Sequence, residues 1–209
     1  GKFAPDNKPN HLGAWPANGL FGIKTAFAHT YRDKENSFDS DWERNNYGYQ
    51  DLVYGYNTFP YKVDLMVGSL DLSELPSFPE SEIELLRRYL NKNHKYRTGQ
   101  LPFRRRGLID DKLADEHLRE APASSGWRNF NSMFGPVSIS EGDYFSTLEN
   151  ESYMASYACG NGQTFDSLGD VGSSKDFATK QVNTIFTMLY GDYIGDWDSP
   201  DNFLRASLA

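Results

Sequence analysis

The sequence predicts an α/β fold with a three-layer, mainly parallel sheet, and three observations lead to this prediction. The apolar runs Tyr153 to Ala158 and Val182 to Tyr190 have the length and composition of buried strands. Segments with helical spacing and capping signals alternate with such strands along the chain. Both runs lead directly into Gly-rich loops, Cys159 to Gly162 and Gly191 to Asp198. Because neighbouring parallel strands that end in loops form a crevice at the carboxyl edge of a sheet, we expect the functional site there.

Length and charge limit the classes of protein to which the chain can belong. Its 209 residues suffice for one domain with a substantial core. We expect residues 1–60 to form an irregular N-terminal extension and residues 61–209 to carry the sheet and helices. The net charge of −8 argues against a nucleic-acid or membrane-surface partner. No apolar run approaches the roughly 20 residues of a membrane span, and the single cysteine excludes an internal disulfide framework.

The N-terminal extension has little periodicity. Residues Leu20 to Phe27 could supply one short strand. The polar stretch from Tyr31 to Gln50 carries five acidic residues, Asp33, Glu35, Asp39, Asp41 and Glu43. Oxygen ligands of this kind suit calcium, so the stretch is either a calcium-binding loop or a solvated surface loop.

Regular structure is predicted to begin with a strand at Lys62 to Gly68, where apolar and polar residues alternate. A helix from Phe78 to about Asn93 follows, with Ser77 as its N-cap. Its apolar face is formed by Ile83, Leu86 and Leu90. His94 falls in the last turn, where positive charge complements the helix dipole. We therefore interpret His94 as a helix-end residue and not as a catalytic one.

The next predicted strand, Arg106 to Ile109, separates a basic triplet from two aspartates. The triplet Arg104 to Arg106 could bind a phosphate or an acidic peptide. Alternatively, the aliphatic parts of these arginine side chains pack around the start of the strand, or their guanidinium groups pair with the excess acidic residues of the chain. Asp110 and Asp111 follow the strand, so they either face the crevice as binding residues or cap the following turn.

The remaining elements are predicted from caps, breakers and spacing. They are one or two helical turns in Leu113 to Ala121, a strand within Gly126 to Gly135, a helix from Ile139 to Leu148 capped by Ser138 or Ser140, a loop from Asp166 to Ser174, a helix from Lys175 to Val182, and a final helix that begins with Ser199 as N-cap and Pro200.

The order of these motifs resembles that of gingipain-type cysteine peptidases, which have a caspase-like fold. The resemblance covers Leu12 to the C-terminus and rests on Val63 to Leu72, on the helix with the core Glu-Leu-Leu-Arg-Arg-Tyr, and on the strand that ends in Asp-Asp. The whole chain is more closely similar to large secreted bacterial proteins that carry this domain. The resemblance implies a caspase-like sheet and a secreted or cell-surface bacterial location.

The family's chemistry implies a Cys–His dyad in the loops that follow two successive strands. Residues Tyr157 to Gln163 match the loop of the His, and Asn161 stands in its place. Residues Leu189 to Gly195 match the loop of the Cys, with Asp192 or Tyr193 in its place. Asn has no titratable group, so it cannot serve as the base that activates a thiol. The resemblance therefore implies a non-catalytic binding or structural module of a larger secreted protein.

Two hydrolase alternatives remain open on the residues alone. Cys159 could act as a nucleophile, with His11, His29, His94 or His117 as its base, or it could be a buried small hydrophobe. Asp192, Asp196 and Asp198, with Asp110 or Asp111, could instead bind Ca²⁺ or Mg²⁺ or act as paired carboxylates on a glycan. Trp197 beside them would suit sugar binding. These aspartates could equally cap the final helix. The residues identify no definite cofactor, and calcium is the candidate ion.

The resemblance also implies a partner. A caspase-like sheet continues beyond the nucleophile loop with at least one more strand and helix, whereas this sequence ends at Ala209. We expect the remainder of a longer or processed polypeptide, or a second chain, to complete the sheet. An unpaired strand edge and an uncovered apolar patch near Ile185 to Leu189 would support this expectation.

Overall fold

The structure is a computed structural model and describes residues 2–3, 15–16, 68–114, 122–162 and 164–209. The chain falls into two compact units, Gly1–Leu70 with Gly195–Asp198, and Asp71–Ile194 with Ser199–Ala209. In the first unit, strands β1 (Lys2–Phe3) and β2 (Trp15–Pro16) pair antiparallel. The strand predicted at Leu20 to Phe27, the acidic loop, and residues 62–67 of the next predicted strand lie outside the described residues.

The second unit contains the sheet and its helices. In chain order its elements are α1 (Glu82–Arg97), β3 (Gly107–Asp111), α2 (Ser124–Phe134), a short 3₁₀ helix (Pro136–Ser138), β4 (Ile139–Glu141), α3 (Tyr144–Asn150), β5 (Tyr153–Cys159), β6 (Ser167–Leu168), β7 (Gly172–Ser173), α4 (Ser174–Thr179), β8 (Thr184–Tyr190) and α5 (Phe203–Ala206). Most of the helical turns predicted between Leu113 and Ala121 lie outside the described residues.

The four main strands form a parallel sheet in the order β4-β3-β5-β8. The predicted α/β class and the mainly parallel sheet are therefore confirmed. The two strands predicted from apolar runs, β5 and β8, are neighbours, with Ala155 opposite Phe186 and Cys159 opposite Tyr190. Strand β3 extends through Asp110 and Asp111, so these two residues belong to the strand and do not follow it.

Helices pack against both faces of this sheet. On one face, Leu108 and Ala158 lie in a buried cluster with Tyr144, Phe145 and Leu148 of α3. On the other face, Ile109 and Tyr157 pack against α2, whose Phe130 is buried. A β-carbon on Gly126 of α2 would lie 2.9 Å from atoms of both Ile109 and Tyr157, so the glycine permits close contact between helix and sheet.

The helices also fix where the chain reverses its direction across the sheet. From β3 the chain crosses the α2 face to reach β4, and it then returns over the α3 face to reach β5. The connection that leaves β5 passes through α4, whose Phe177 packs against the same cluster as α3. The connections that leave β3 and β5 therefore diverge over opposite faces. In a sheet of this order the crevice lies outside the carboxyl ends of these two strands.

Helix α1 begins four residues later than predicted. Its N-cap is Ser81, whose hydroxyl accepts from Glu84 N while Glu84 accepts from Ser81 N, which forms a capping box. Ser77 is not the cap, because its backbone and side chain instead donate to the carboxylate of Asp201. The predicted apolar face is exposed (Ile83 61%, Leu86 39%, Leu90 52%), and Leu85 is the buried residue of the helix.

The segment between β3 and β5 differs most from the predictions. The strand predicted in Gly126 to Gly135 is wrong, because this segment forms helix α2, in which Trp127, Phe130 and Phe134 have helical spacing. The helix predicted from Ile139 to Leu148 is present in its second half, as α3, but its predicted start is wrong. Residues Ile139–Glu141 form β4 instead, and helix α3 begins only after the predicted caps, with Asp143 as its N-cap.

The end of the chain forms a short helix that a buried arginine anchors. Helix α5 is capped by Asn202 and not by Ser199, so the predicted start of this helix is wrong. The guanidinium of Arg205 is fully buried and donates to Ser73 O at 2.7 Å and to Ser199 O at 2.6 Å. Arg205 thereby joins the segment before α1 to the last helix. The loop predicted from Asp166 to Ser174 contains the small hairpin of β6 and β7.

Candidate functional site

The chain reversal moves the expected position of the crevice to between β3 and β5, one strand away from the position predicted from the sequence. The sequence predicts it between the loops that follow β5 and β8. The divergence between β3 and β5 instead brings together Asp110 and Asp111 at the end of β3 and Cys159 at the end of β5, with Asp111 opposite Cys159 in the register. The structure therefore joins two predicted sets of site residues that lie almost fifty residues apart in the sequence.

Asp110 is a buried carboxylate whose oxygens are bonded to neighbouring protein groups. One oxygen accepts from Tyr144 N at 2.8 Å, at the start of α3, and the other lies 3.2 Å from Lys112 Nζ. Burial raises the pKa of Asp110, although the bond from Tyr144 N and the charge of Lys112 oppose that shift. Because the positive end of the helix dipole also favours a carboxylate, Asp110 holds α3 against the sheet.

Lys112 lies between two carboxylates at the same edge of the sheet. Its Nζ is 3.2 Å from Asp110 and 3.7 Å from the N-cap Asp143. Burial lowers the pKa of Lys112, but the two carboxylates more than reverse this effect, so the net shift is upward. Neither Lys112 nor Asp143 was predicted as a site residue. The Gly142-Asp143 pair before an aromatic run was the available signal of a helix start.

The thiol of Cys159 is buried and protonated. Its Sγ donates to Asp111 Oδ1 at 3.1 Å, and the same oxygen accepts from Leu113 N at 3.1 Å. Burial, together with the hydrogen bond to Asp111 and the negative charge of Asp111, raises the pKa of Cys159 to about 12. Since the thiolate is the nucleophile of cysteine chemistry, this environment deactivates the sulfur.

The bases weighed for Cys159 are mostly outside the described chain. His11, His29 and His117 lie among residues that the structure does not describe. His94 is in the last turn of α1, as predicted. Among the described residues, the polar side chain bonded to the Cys159 sulfur is a carboxylate, which stabilises the protonated thiol.

The two Gly-rich loops pack against each other through their backbones. Gly160 N donates to Tyr190 O at 3.2 Å, so the loop after β5 is bonded to the end of β8. A β-carbon on Gly162 would overlap the backbone of Asp192, and one on Gly191 would lie 2.6 Å from Gly160 O. These glycines are therefore required by close packing between the loops, and a bound ligand is not needed to explain them.

The predicted replacements of the catalytic pair lie in these packed loops. Asn161 and Asp192 are both exposed at the carboxyl edge of the sheet. Asn161 O accepts from Gly169 N at 2.7 Å, which joins its loop to the segment after β6. Tyr193, the other candidate for the cysteine position, has a left-handed backbone with φ of 60° and lies within a tight turn closed by Ile194 N and Asp192 O.

The acidic cluster proposed for a metal or a glycan is divided between the two units. Asp192 belongs to the second unit, whereas Asp196, Trp197 and Asp198 belong to the first. Within the described ranges, no group of three or more His, Cys, Asp or Glu side chains could hold a metal ion. The predicted roles of these residues in metal or sugar binding stay predictions. Asn202, and not one of these aspartates, caps the final helix.

A second candidate surface lies at the edge of the sheet. Within the part of the chain that the structure describes, β8 pairs only with β5. Three large apolar side chains on one face of β8 are exposed, Phe186 at 49%, Met188 at 43% and Tyr190 at 54%. The apolar patch expected near Ile185 to Leu189 is therefore present. An uncharged strand with exposed apolar residues at a sheet edge favours pairing with another strand.

A shallow depression on α1 provides a third, basic surface. It is lined by Glu84, Arg87, Arg88, Asn91, Lys92 and Lys95. Arg88 forms an ion pair with Glu80 at 2.9 Å, and Lys92 Nζ donates to Ala209 O at 3.3 Å. The depression therefore carries four cationic side chains and one carboxylate, whereas the whole chain has a net charge of −8.

Comparisons with known proteins identify no relative of this chain. Among the described residues, no helix has both the length and the apolar character that a membrane crossing requires. No protein-family model, no curated protein and no solved structure matches the sequence or the fold.

Proposed function

We propose that the chain is a caspase-like α/β domain without cysteine-peptidase activity, and that it serves as a binding or structural module of a larger secreted bacterial protein. The family and the location are proposed from the resemblance to gingipain-type peptidases alone. The parallel sheet and the neighbouring strands β5 and β8, each followed by a Gly-rich loop, are compatible with it. Under this resemblance Asn161 stands in the place of the histidine, and Asp192 or Tyr193 stands in the place of the cysteine.

The observation that carries the proposal is the state of Cys159. Its sulfur is inaccessible, is bonded to a carboxylate and has a pKa of about 12. A nucleophile needs the opposite environment, with an accessible sulfur and a neighbouring cation or base. The edge of β8 is the surface that we propose for binding, because it exposes apolar side chains and backbone groups that a further strand would cover.

A peptide-library digest tests the absence of peptidase activity. The full chain and its Cys159→Ala variant are incubated with a mixture of peptides that samples all residues at the cleavage site, and mass spectrometry detects the products. We expect both proteins to give the same background. Cleavage that the Cys159→Ala variant loses, while circular dichroism shows it to be folded, would refute the proposal and restore a cysteine hydrolase.

A further inference from the structure

We infer that the partner of β8 is an extended apolar segment with acidic residues at one end, placed so that the acidic end lies beside Thr184. This inference rests on the proposed binding role of the β8 edge and names the chemistry of its partner. Strand β8 has seven residues without charge or proline, so its outer backbone groups can accept a strand along their whole length.

The two faces of β8 determine the apolar part of the partner. Phe186, Met188 and Tyr190 are exposed on one face. On the other face, the Thr187 hydroxyl accepts a hydrogen bond from the Ser156 hydroxyl at 3.1 Å. It is also hydrogen-bonded to the hydroxyl of Tyr144, a residue of α3, at 2.8 Å. Because side chains alternate along a strand, an added strand would meet these two faces in turn. Its side chains beside Met188 must therefore be apolar.

Aromatic contacts connect the start of β8 to a basic segment. The ring of Tyr96 in α1 lies 5.5 Å from Phe186 in an edge-to-face arrangement and 5.8 Å from Phe103. Exposed cations adjoin these two aromatic residues in the sequence, namely Lys95, Arg97, Arg104 and Arg105. The amino end of β8 therefore lies next to a basic surface.

The triplet Arg104 to Arg106 contributes unequally to this surface. Arg106 is already bound, since it donates to Glu151 at 2.6 Å and stacks over the ring of Tyr153 at 3.9 Å. Arg104 and Arg105 form no ion pair with another described residue and remain available. Arg106 O accepts from Met154 N at 3.2 Å, and Tyr153 is opposite Thr184, so the triplet adjoins the first residues of β5 and lies one strand away from the start of β8.

The other end of β8 has the opposite charge. The strand runs into Gly191 and the exposed Asp192. An acidic residue in the partner is therefore attracted at the Thr184 end and repelled at the Asp192 end, which fixes the polarity of the added segment. A second copy of this chain paired antiparallel through β8 would also bring an acidic residue, its Asp192, beside Thr184, so the oligomeric state of the chain is measured in the test.

Two synthetic peptides test the inference by fluorescence anisotropy with the full chain. One has three glutamates followed by Val-Thr-Val-Ile-Thr-Val, and the other has three lysines before the same segment. We expect the acidic peptide to bind at least tenfold more tightly, with a preference that weakens as salt is added. A third peptide with alternate N-methylated residues should not bind, because it cannot form the strand ladder.

Three variants assign the binding to its surface. Met188→Lys places a charge on the edge strand and should abolish binding of both peptides. Val137→Lys is the matched control, since Val137 is 96% exposed beside β4 at the opposite edge, and it should change nothing. The double variant Arg104→Glu with Arg105→Glu should remove the preference for the acidic peptide. Circular dichroism confirms that each variant is folded.

The outcomes separate the inference from the proposed function. Equal binding of both peptides, abolished by Met188→Lys, would overturn the acidic partner and leave β8 as a binding edge. If neither peptide binds and the chain forms dimers that Met188→Lys dissociates, the partner is a second copy and the inference is wrong. If neither peptide binds and the chain is monomeric, both the inference and the binding role of β8 are refuted.

Discussion

The thiol of Cys159 should react at least thirtyfold more slowly in the folded chain than in the denatured chain. Its pKa rises from 9.0 to about 12, so the thiolate fraction near pH 8 falls about 1000-fold. A more basic thiolate is also a better nucleophile, and the usual Brønsted slope of about 0.5 returns roughly thirtyfold of that loss. The net slowing from lower ionisation and higher nucleophilicity is roughly 30-fold, and burial of the sulfur adds to it.

The assay is the absorbance change when a disulfide reagent such as DTNB reacts with the protein. The chain has one cysteine, so a single exponential reports on Cys159 alone. Denaturation in urea gives the reference rate. The Asp111→Ala variant should react faster than the wild type and more slowly than the denatured chain, because it loses the acceptor but keeps the burial. A folded rate within about threefold of the denatured rate would mean that the sulfur is accessible and ionised, and our account of the site would then be wrong.

The same pKa predicts how stability depends on pH. The folded-state pKa of Cys159 lies above the unfolded value, so the stabilisation is complete below about pH 9 and is lost as the pH rises toward 12. Between pH 8 and pH 10, the free energy of unfolding should fall by about 1.4 kcal/mol more in the wild type than in Cys159→Ala. Urea denaturation of both proteins at the two pH values measures the difference, and equal losses would refute the shift.

Three further substitutions test the packing and charge of the second unit. Gly162→Ala should destabilise the fold by about 1–3 kcal/mol in urea denaturation, because the new β-carbon overlaps a backbone, whereas Gly195→Ala, with no neighbour within 4 Å, is the control. Lys112→Met should raise the pKa of Asp110 further, so the variant should lose stability as the pH rises from 4 to 7, and a pH-independent loss would contradict the ion pair. Ser81→Ala should lower the free energy of unfolding by about 1 kcal/mol through loss of the capping box, and an unchanged midpoint would place the helix start elsewhere.

Local sequence signals predicted β3, β5 and β8, but they did not predict α2 or β4, which follow β3 in the sequence. Strands β5 and β8 are uncharged runs bounded by glycine, and no other local structure competes with that pattern. Helix α2 was predicted as a strand because aromatic residues favour strands, although Trp127, Phe130 and Phe134 also suit a helix. Packing of this segment against one face of the sheet decides between helix and strand, and that packing involves residues distant in the sequence.

The candidate site shows the same division. Asp110, Asp111 and Cys159 could be named from the sequence because each stands where an apolar strand ends. The bond between Asp111 and Cys159 could not be predicted, since it depends on the pairing of β3 with β5 and on their register. The crevice was predicted one strand away for a related reason. The position of the chain reversal depends on the faces that α2 and α3 cover, which local patterns do not specify.

Binding is expected at the edge of the sheet and not at its carboxyl end, because polar groups at the carboxyl end are already hydrogen-bonded and apolar side chains at the edge are exposed. At the carboxyl end, Asp110 and Cys159 already have bonded partners, so a ligand would have to replace interactions of similar strength. At the edge, Phe186, Met188 and Tyr190 keep about half of their surface in water. Covering that half is worth roughly 1 kcal/mol for each side chain. An added strand would gain these contributions together with its backbone hydrogen bonds, so most of the available binding energy lies along β8.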